Sequence, residues 1–492
     1  MFRRVLVANR GEIAVRVIRT CRKLGIETVL TASDADVGSV PARLADKVIR
    51  IGPAPAADSY LNVDAVVGAA LAAGADAVHP GYGFLSENAR LARACAAAGI
   101  VFIGPTHETL EASGDKLAAR EHALAAGLPV LPGGRIGALT DAGARGDAGA
   151  RGDALGVAGR IGFPLLVKAA GGGGGRGLRV VREPGELADA VSVASSEAAA
   201  AFGDARVYLE RYVERGRHVE VQILGDGERV IHLGDRDCSV QRRYQKLIEE
   251  APAPGLDAGL RDRLRAAAVA LGEHLGYRGA GTVEFLVDAD RGEFYFLEVN
   301  ARIQVEHPVT EAITGLDIVA EQIATAEGRP LRLRQGDVTF AGHAIECRIN
   351  AEDPARDFRP SPGTVSRAVF PVGPGGRVRV DTHVQAGVAV PPYYDSLLAK
   401  VIGYGVDRSE ALGTLRDALD RCAVEGVATN LEMQRAVIDS PGFTGGGVDT
   451  GYLGRWLARV PEDGDGMESP GSVRDQAGFD LGYGAGRGVA DG

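Results

Sequence analysis

The chain has 492 residues, enough for about two to four domains that each bury a core of their own. Its net charge is −10 with no basic block, which argues against nucleic acid as a partner. No apolar run approaches the ~18 residues of a membrane span, and five scattered cysteines without a C-x-x-C pair fit a reducing compartment, so we expect a cytoplasmic protein with no membrane segment and no zinc site.

The first part of the chain alternates strands with helices. A strand at 5–8 precedes a glycine turn and an amphipathic helix, and further strands are predicted at 27–31, 75–78 and 101–104. This alternation favours a doubly wound parallel sheet. The loop HPGYGFLSEN at 79–88 follows a strand, at the edge where open α/β sheets bind ligands. Asp115 and Lys116 are expected to begin the next helix.

Residues 137–160 have a different composition. The hexapeptide AGARGD occurs twice in succession, at 142–147 and 148–153, and offers nothing apolar to bury. We therefore predict a flexible surface insertion at 137–160.

A run of five glycines at 171–175 follows an apolar segment that ends in Lys168, and a second apolar segment begins at Leu178. The P-loop requires its lysine after the last glycine, and the dinucleotide fingerprint opens a helix, so neither motif fits. The pattern instead predicts a strand, a glycine loop and a second strand that close over a nucleotide, with Lys168 as a counter-charge for phosphate. The alternative is a flexible linker, which the two flanking apolar segments disfavour.

The chain after this hairpin predicts a helix near 184–201 and strands at 207–213 and 218–224. Residues 331–446 carry short strands and two helices, which indicates a closing α+β domain. From about Trp456 the sequence is rich in Gly and Asp, and we expect a disordered tail.

Two carboxylates face each other in a second predicted hairpin. Residues 282–287 and 294–300 alternate as strands, which places Glu284 opposite Glu298. Opposed like charges destabilise a strand pair, so a cation is expected between them. Two carboxylates and the amide of Asn300 suit Mg²⁺ or Mn²⁺ carrying nucleotide phosphates. The alternative is a solvated polar face, where Lys–Glu pairs would be more usual.

The polar pattern continues beyond this hairpin. If the chain stays extended, Arg302, Gln304 and Glu306 lie on the face of Glu298, and the opposite face carries Leu297, Val299, Ile303 and Val305. Arg302 is then placed to hold a small oxyanion with two hydrogen bonds. Lys246 and Arg348 are further candidate cations, although each alone is more typical of a surface residue.

These residues together indicate Mg²⁺–ATP between a glycine hairpin and an acidic sheet, beside a small-anion pocket. No hydroxyl or thiol nucleophile motif occurs. The reaction that fits is phosphorylation of a carboxylate-like anion, followed by attack of a second substrate on the activated group.

At this point the sequence resembles a known family. The order of Lys168 with its glycine loop, Glu210, Glu284, Glu298 and Asn300 resembles the ATP-grasp fold. Longer motifs resemble biotin carboxylase more specifically: HPGYGFLSEN at 79–88, RDCS at 236–239, QRR at 241–243, EAPAP at 250–254, RIQVEHP at 302–308, CRINAED at 347–353 and PYYDS at 392–396. The resemblance covers about residues 2–450.

The resemblance implies an α/β protein of three domains. These are an N-terminal biotin carboxylase domain with a parallel sheet at 1–115, an ATP-grasp domain at 116–330 with a lid at about 131–205, and a C-terminal α+β biotin carboxylase domain at 331–446, followed by the disordered tail at 456–492.

The resemblance also implies a set of site residues. ATP would be bound by Lys116, Lys168, Gly174, Gly175, Glu210, Arg211, Val213, His218, Tyr244, Glu284 and Glu298, and the metal ion by Glu284, Glu298 and Asn300. Bicarbonate would lie on Lys246, Arg302 and the Val305 backbone, with Glu306 as general base. Arg348 would stabilise deprotonated biotin. Positive charge aimed at developing negative charge is usually the largest catalytic effect, so Arg302 and Arg348 are expected to matter most for turnover.

Three positions depart from the family pattern. Arg211 stands where a lysine is frequent, Tyr244 where many members have histidine, and Ala301 where threonine is frequent. The side chain of Ala301 is expected to face away from the site.

No lysine lies between methionines, which is the pattern of biotin attachment in the family's carrier domain, so biotin is expected on a separate carrier protein. The resemblance then implies the stand-alone catalytic component of an acetyl-CoA or related acyl-CoA carboxylase, which performs the first half-reaction toward malonyl-CoA and fatty-acid synthesis. A homodimer and a carboxyltransferase partner are expected as well.

Two alternatives stay open on the sequence alone. One is another ATP-grasp carboxylate ligase, against which the motifs at 302–308 and 347–353 argue. The other is a non-catalytic nucleotide-binding regulatory protein. Such proteins usually lose part of the acidic or cationic set, which is present here in full: Lys246, Glu284, Glu298, Asn300 and Arg302.

Overall fold

The computed structural model describes residues 1–136, 154–170, 178–288, 290–371 and 376–459. The N-terminal unit is a parallel sheet in the order β3-β2-β1-β4-β5. Its strands are β1 (Arg4–Val7), β2 (Glu27–Ser33), β3 (Lys47–Gly52), β4 (Ala77–His79) and β5 (Val101–Phe102). Its helices are α1 (Gly11–Lys23), α2 (Val40–Leu44), α3 (Val63–Ala73), α4 (Ala89–Ala97) and α5 (His107–Gly114).

The predicted parallel, doubly wound sheet is therefore confirmed, with β3 as an addition. β3 is an edge strand whose residues are mostly half-exposed or exposed, so it lacks the continuous apolar run that marks its neighbours. The strand order changes direction between β1 and β4, and the loops after these two strands meet there. The Asn9 side chain joins them by donating hydrogen bonds to the carbonyls of Pro80 and Tyr82, both at 2.7 Å.

The central unit begins with α6 (Lys116–Ala125), which Asp115 caps by accepting from the Leu117 and Ala118 amides. A four-stranded antiparallel sheet follows, in the order β6-β9-β7-β8. Its strands are β6 (Gly133–Arg135), β7 (Leu165–Ala169), β8 (Arg179–Val181) and β9 (Val207–Arg211), and it packs against α7 (154–161) and α8 (Leu187–Phe202).

β7 and β8 pair as the predicted antiparallel strands on either side of the glycine run, with Leu165 opposite Val181. The glycine run itself, including Gly174 and Gly175, lies outside the described residues.

The predicted insertion at 137–160 is wrong for its last seven residues. Residues 137–153 lie outside the described residues, but 154–160 belong to helix α7. Ala154, Val157 and Ala158 are buried in the core formed by β7, β9 and α8. The Arg-Gly-Asp repeat ends just before α7, where small apolar residues provide the face that this core needs.

An antiparallel sheet of eight strands connects the central unit to the C-terminal unit, in the order β14-β13-β10-β11-β12-β15-β22-β20. Its strands are β10 (Gly216–Asp226), β11 (Val230–Arg242), β12 (Gln245–Ala251), β13 (Arg278–Asp288), β14 (Glu293–Asn300), β15 (His343–Asn350), β20 (Val378–Thr382) and β22 (Leu397–Gly405). The predicted division at 330 and 331 thus falls within a single sheet, because β12 pairs with β15.

Helices α9 (Ala258–His274), α10 (His307–Thr314) and α11 (Ile318–Ala326) pack on this sheet, and so do α12 (Arg408–Asp420) and α13 (Leu431–Asp439). Short pairs complete the C-terminal unit: β16 (Glu352–Asp353) with β17 (Arg359–Pro360), β18 (Gly363–Thr364) with β21 (Ala389–Val390), and β19 (Arg367–Val369) with β23 (Ala423–Glu425).

Two short helices end the described chain, α14 (Pro441–Gly445) and α15 (Tyr452–Leu457). Trp456, the predicted start of the disordered tail, therefore lies in a helix, and residues 460–492 lie outside the described residues. Within the described ranges, no helix combines the length and apolar character needed to cross a membrane.

Replacing glycine with alanine is expected to change the free energy of unfolding in opposite directions at two positions of the fold. A Cβ at Gly225 in β10 would lie 2.1 Å from the backbone oxygen of Tyr277, which cannot move aside, so Gly225→Ala should lower the free energy of unfolding by about 1–3 kcal/mol or more. Gly413 lies inside α12 with no atom within 4 Å of such a Cβ, so Gly413→Ala should raise stability by about 0.5–1 kcal/mol. Chemical denaturation of both variants measures the difference, and equal effects would contradict this packing.

Candidate active site

One cleft of about 560 Å³ lies where the three units meet. Every predicted site residue within the described ranges lines it: Lys116, Lys168, Glu210, Arg211, Val213, His218, Tyr244, Lys246, Glu284, Glu298, Asn300, Arg302, Val305, Glu306 and Arg348. The N-terminal unit contributes Tyr82 to the same wall. Residues more than 200 positions apart in sequence are thus brought to one surface by the large sheet and the loops at its edge.

Glu284 of β13 is the direct partner of Glu298 on β14, which is the predicted register. Two protein groups lie against Glu284: Lys246 Nζ lies 2.8 Å from one Glu284 oxygen and His218 Nε2 lies 2.9 Å from the other. Burial alone would raise the pKa of Glu284, but these two cations hold it well below its ordinary value. Glu284 is therefore ionised at neutral pH.

Lys246 is surrounded by carboxylates. Its ammonium donates to Glu220 at 2.5 Å, to Glu284 at 2.8 Å and to Glu306 at 2.6 Å. Burial alone would lower the pKa of Lys246, but these carboxylates raise it well above its ordinary value. An ammonium has three N–H donors, and all three are used here. A bicarbonate ion held on Lys246 must therefore replace one of the carboxylates.

The oxygen donors of the predicted metal site lie on two paired strands, Glu284 on β13 and both Glu298 and Asn300 on β14. Asn300 Nδ2 donates to Glu284 at 3.0 Å, and Asn300 Oδ1 accepts from Arg302 at 2.6 Å. Among the described residues, no cation lies within ion-pair distance of Glu298. A carboxylate without a protein cation, beside a second carboxylate and an amide, fits a hard divalent ion.

The chain does not stay extended beyond β14. Residues 301–306 form a turn before α10, and Leu297 and Val305 line the cleft although they were expected on the opposite face. Val299 and Ile303 are buried in the core as predicted. The side chain of Ala301 also packs in the core, away from the cleft.

Arg302 is held in place by its neighbours. Its Nε donates to Glu87 at 3.1 Å and its Nη2 donates to Asn300 at 2.6 Å. The Glu87 carboxylate also accepts from the Ala301 amide at 3.1 Å. Glu87 belongs to the loop at 79–88, so this loop fixes the guanidinium that faces the cleft.

Glu306 is a buried carboxylate between two cations. Lys246 donates to one oxygen at 2.6 Å and Arg348 donates to the other at 2.9 Å. Burial alone would raise the pKa of Glu306, but Lys246, Arg348 and Arg236 lower it below its ordinary range. The group is therefore a carboxylate at neutral pH and can accept a proton, although the cations beside it make it a weaker base than a free carboxylate.

Several of the residues predicted to contact ATP away from the acidic hairpin lie on the smaller sheet. Lys168 Nζ donates to Glu210 at 2.9 Å, and Arg120 Nη1 donates to the other Glu210 oxygen at 3.2 Å. Lys116 is the first residue of α6, and burial lowers its pKa. Tyr244 occupies a two-residue turn between β11 and β12, with a φ of 66°, and is half-exposed.

Sequence reasoning missed several residues of the site. Arg236 is 0% exposed and donates to Glu220, Gln222, Thr282, Gln304 and Thr310. Its motif, RDCS, was identified only as a resemblance. Glu220 could have been found from β10, where polar residues alternate from His218 and place Glu220 opposite Glu284. Glu12 and Lys400 carry no local signal, because their contacts are remote in sequence.

A second carboxylate pair lies behind Arg348. Glu249 of β12 and Glu346 of β15 are direct partners in the ladder, and both are 0% exposed. Arg348 is 2.5 Å from Glu249, but no oxygen of either carboxylate has a hydrogen-bond partner among the described residues. Burial raises the pKa of Glu249 to about 7 despite Arg348, and burial raises the pKa of Glu346 well above its ordinary value despite Lys400. Burial therefore favours the protonated form of Glu346.

Three family models match the chain. The model described as Biotin carboxylase, N-terminal domain matches residues 1–110. The model described as Carbamoyl-phosphate synthase L chain, ATP binding domain matches residues 116–334, and the model described as Biotin carboxylase C-terminal domain matches residues 346–455.

Curated relatives are similar over nearly the whole length. The biotin carboxylase of Pseudomonas aeruginosa is 50% identical over 458 residues, which cover 93% of this chain and 99% of the relative. The chain belongs to the biotin carboxylase family. A component of the pyruvate carboxylase of Methanothermobacter thermautotrophicus is 48% identical over 454 residues, which cover 92% of this chain and 90% of that relative.

A solved structure extends the likeness to three dimensions. The biotin carboxylase domain dimer of the Hydrogenobacter thermophilus 2-oxoglutarate carboxylase, in complex with magnesium ADP and bicarbonate, has a TM-score of 0.87 at 44% identity, covering 94% of this chain and 100% of that one. The three-domain biotin carboxylase fold and the enzyme class, an ATP-dependent ligase of the biotin carboxylase type, are confirmed.

The raised pKa of Glu346 predicts a pH-dependent effect of Glu346→Gln. The unfolded carboxyl loses its proton near 4.5 while the folded one keeps its proton to higher pH, so the free energy of unfolding of the wild type falls relative to Glu346→Gln as pH rises from 4.5 to the raised pKa, by up to about 1.4 kcal/mol per pH unit. Chemical denaturation at several pH values measures this difference.

Asp226→Asn is the matched control for this titration. Burial opposes ionisation of Asp226, but the backbone amides of Leu331, Arg229 and Glu228 lower its pKa. The stability deficit of Asp226→Asn should therefore stay constant over the same pH range. A Glu346→Gln variant that shows the same constant deficit would mean that Glu346 is ionised.

Proposed function

We propose that this chain carboxylates biotin carried on a separate protein, using ATP and bicarbonate through carboxyphosphate. The observation that carries the proposal is the position of Glu306, a buried carboxylate held between Lys246 and Arg348 in the common cleft. Glu306 can accept the proton of bicarbonate, and the two cations beside it can stabilise the negative charge of deprotonated biotin.

ATP is proposed to lie between the smaller sheet and the acidic end of β13 and β14. Lys116 and Lys168 supply positive charge for its phosphates, and Glu210, Arg211, Val213, His218 and Tyr244 line the same end of the cleft. Glu284, Glu298 and Asn300 would hold Mg²⁺ or Mn²⁺, which draws charge from the phosphate oxygens when bound. The magnesium ADP complex of the similar solved domain supports this placement.

Bicarbonate is proposed to lie against Arg302, Lys246 and the Val305 backbone. One bicarbonate oxygen attacks the terminal phosphorus of ATP while its proton passes to the Glu306 carboxylate, and ADP leaves. The carboxyphosphate formed then divides into carbon dioxide and phosphate. The released phosphate takes the proton of the biotin ureido nitrogen, that nitrogen attacks the carbon dioxide, and Arg348 stabilises the negative charge of the deprotonated ureido group.

The carrier, the acceptor and the assembly are further parts of the proposal. We propose that the chain is part of an acetyl-CoA or related acyl-CoA carboxylase, which would supply malonyl-CoA for fatty-acid synthesis. We also propose that it forms a homodimer and works with a carboxyltransferase partner. A second candidate acceptor is a 2-oxo acid, because similar proteins are named as parts of pyruvate and 2-oxoglutarate carboxylases. Adding carrier and carboxyltransferase to the purified chain, with acetyl-CoA or pyruvate as acceptor, distinguishes the two.

We also propose a reducing compartment, since all five cysteines are buried and unpaired.

Free biotin should stimulate ADP release by the purified chain in the presence of Mg²⁺, ATP and bicarbonate. Arg302→Ala and Arg348→Ala should each lower kcat by about 100- to 1,000-fold, because each removes a fixed charge that faces a developing anion. Arg50→Ala is the control, since Arg50 is exposed and pairs only with the surface residue Asp34. Turnover that does not depend on biotin would point to a different ATP-grasp ligase, and nucleotide binding without turnover to a regulatory protein.

The proposed metal ligands predict a change in the requirement for Mg²⁺. Glu298→Gln removes one of two carboxylates and should raise the Mg²⁺ concentration at half-maximal activity by about tenfold or more. Glu293→Gln is the matched control, because Glu293 starts the same strand but does not line the cleft. An unchanged Mg²⁺ dependence in Glu298→Gln would exclude this residue as a ligand.

A further inference from the structure

Lys400 of β22 is a fully buried lysine outside the cleft lining, 0% exposed. Its ammonium donates to the Val305 carbonyl at 2.8 Å and lies 3.1 Å from a Glu12 oxygen. Asp381 of β20 is 3.9 Å away. A lysine is almost never fully buried unless it is paired, so these contacts are what allow Lys400 to be buried. They connect the turn after β14 to helix α1 and to the C-terminal strands.

The carbonyl that Lys400 holds is part of the active-site turn. The Val305 carbonyl and the Glu306 amide share one planar peptide group. Glu306 follows directly, as the residue that caps α10, and its side chain lies between Lys246 and Arg348. A hydrogen bond to this carbonyl therefore fixes the plane from which the Glu306 side chain leaves the chain.

Glu12 links the same lysine to the cleft wall. Tyr82 donates a short hydrogen bond to the Glu12 oxygen that faces Lys400, and Tyr82 lines the cleft. Burial raises the pKa of Glu12, and Lys400 opposes that shift. Tyr82, Glu12, Lys400 and the Val305 carbonyl thus form a continuous set of contacts from one wall of the cleft to the turn that carries Glu306.

We propose that Lys400 is a positioning residue for bicarbonate: by holding the Val305 carbonyl it fixes the Val305–Glu306 peptide, so that the Val305 backbone and the Glu306 carboxylate face the bound anion together. This inference rests on the proposed function, in which bicarbonate lies on the Val305 backbone. Lys400 itself does not touch the substrate.

The test compares Glu12→Gln with the double variant Glu12→Gln/Lys400→Met. Removing both charges leaves no unpaired buried charge, because Asp381 keeps Arg379 at 2.7 Å, so the double variant should fold. It lacks the charged hydrogen bond to Val305, and the KM for bicarbonate should rise by about tenfold or more while the KM for ATP changes by less than about twofold. Glu12→Gln alone keeps that hydrogen bond and should show a smaller rise.

Arg408→Met is the control for loss of a buried cation in the same unit. Arg408 pairs with Glu250 at 2.6 Å and makes no contact with the turn at 301–306, so its loss should lower thermal stability without raising the KM for bicarbonate. A double variant with wild-type bicarbonate KM and kcat would overturn the inference, and so would a parallel rise in both KM values. A wild-type chain without bicarbonate-dependent ATP turnover would remove the proposed function, and the inference with it.

Discussion

The ion pairs of Lys246 with Glu220, Glu284 and Glu306 are the interaction on which the rest of the cleft depends. Each carboxylate is less than 5% exposed, and a buried charge without a partner is strongly destabilising. Arg236 compensates Glu220 and Arg348 compensates Glu306, so three buried carboxylates face three cations. The strands that carry these groups must therefore pack together, and the geometry of the site follows from this requirement.

This balance also explains why the cationic side chains are rigid before any substrate binds. Arg302, Arg348 and Lys246 already make short contacts with carboxylates or amides, so little side-chain entropy remains to be lost when an anion arrives. The anion must compete with these carboxylates.

The parts of the fold that could be predicted are those that have a local pattern in the sequence. Alternation along β13 and β14 was sufficient to place Glu284 opposite Glu298, and the apolar segments around the glycines predicted the β7–β8 hairpin. The residues that were missed make contacts between distant segments. Glu87 meets Arg302, and Glu12 meets Lys400, through the packing of separate units. The pattern within one segment does not reveal which charged residue of a distant segment will lie against it. Helix α7 was missed for a different reason, because its apolar residues are small and next to a polar repeat.

The pairing of β12 with β15 has a consequence for where the chain can be cut into fragments. Strand β12 is the edge strand of the ATP-grasp part of the sheet, and its outer hydrogen bonds are made with residues after 342. A fragment that stops near residue 330 would expose Ile248, Glu249 and Glu250 on an unpaired sheet edge, with a buried carboxylate and an apolar side chain facing solvent or another chain. The family models treat the C-terminal segment as a separate domain, but its strands β15, β22 and β20 continue the sheet of β10 to β14, so the two segments are expected to fold together.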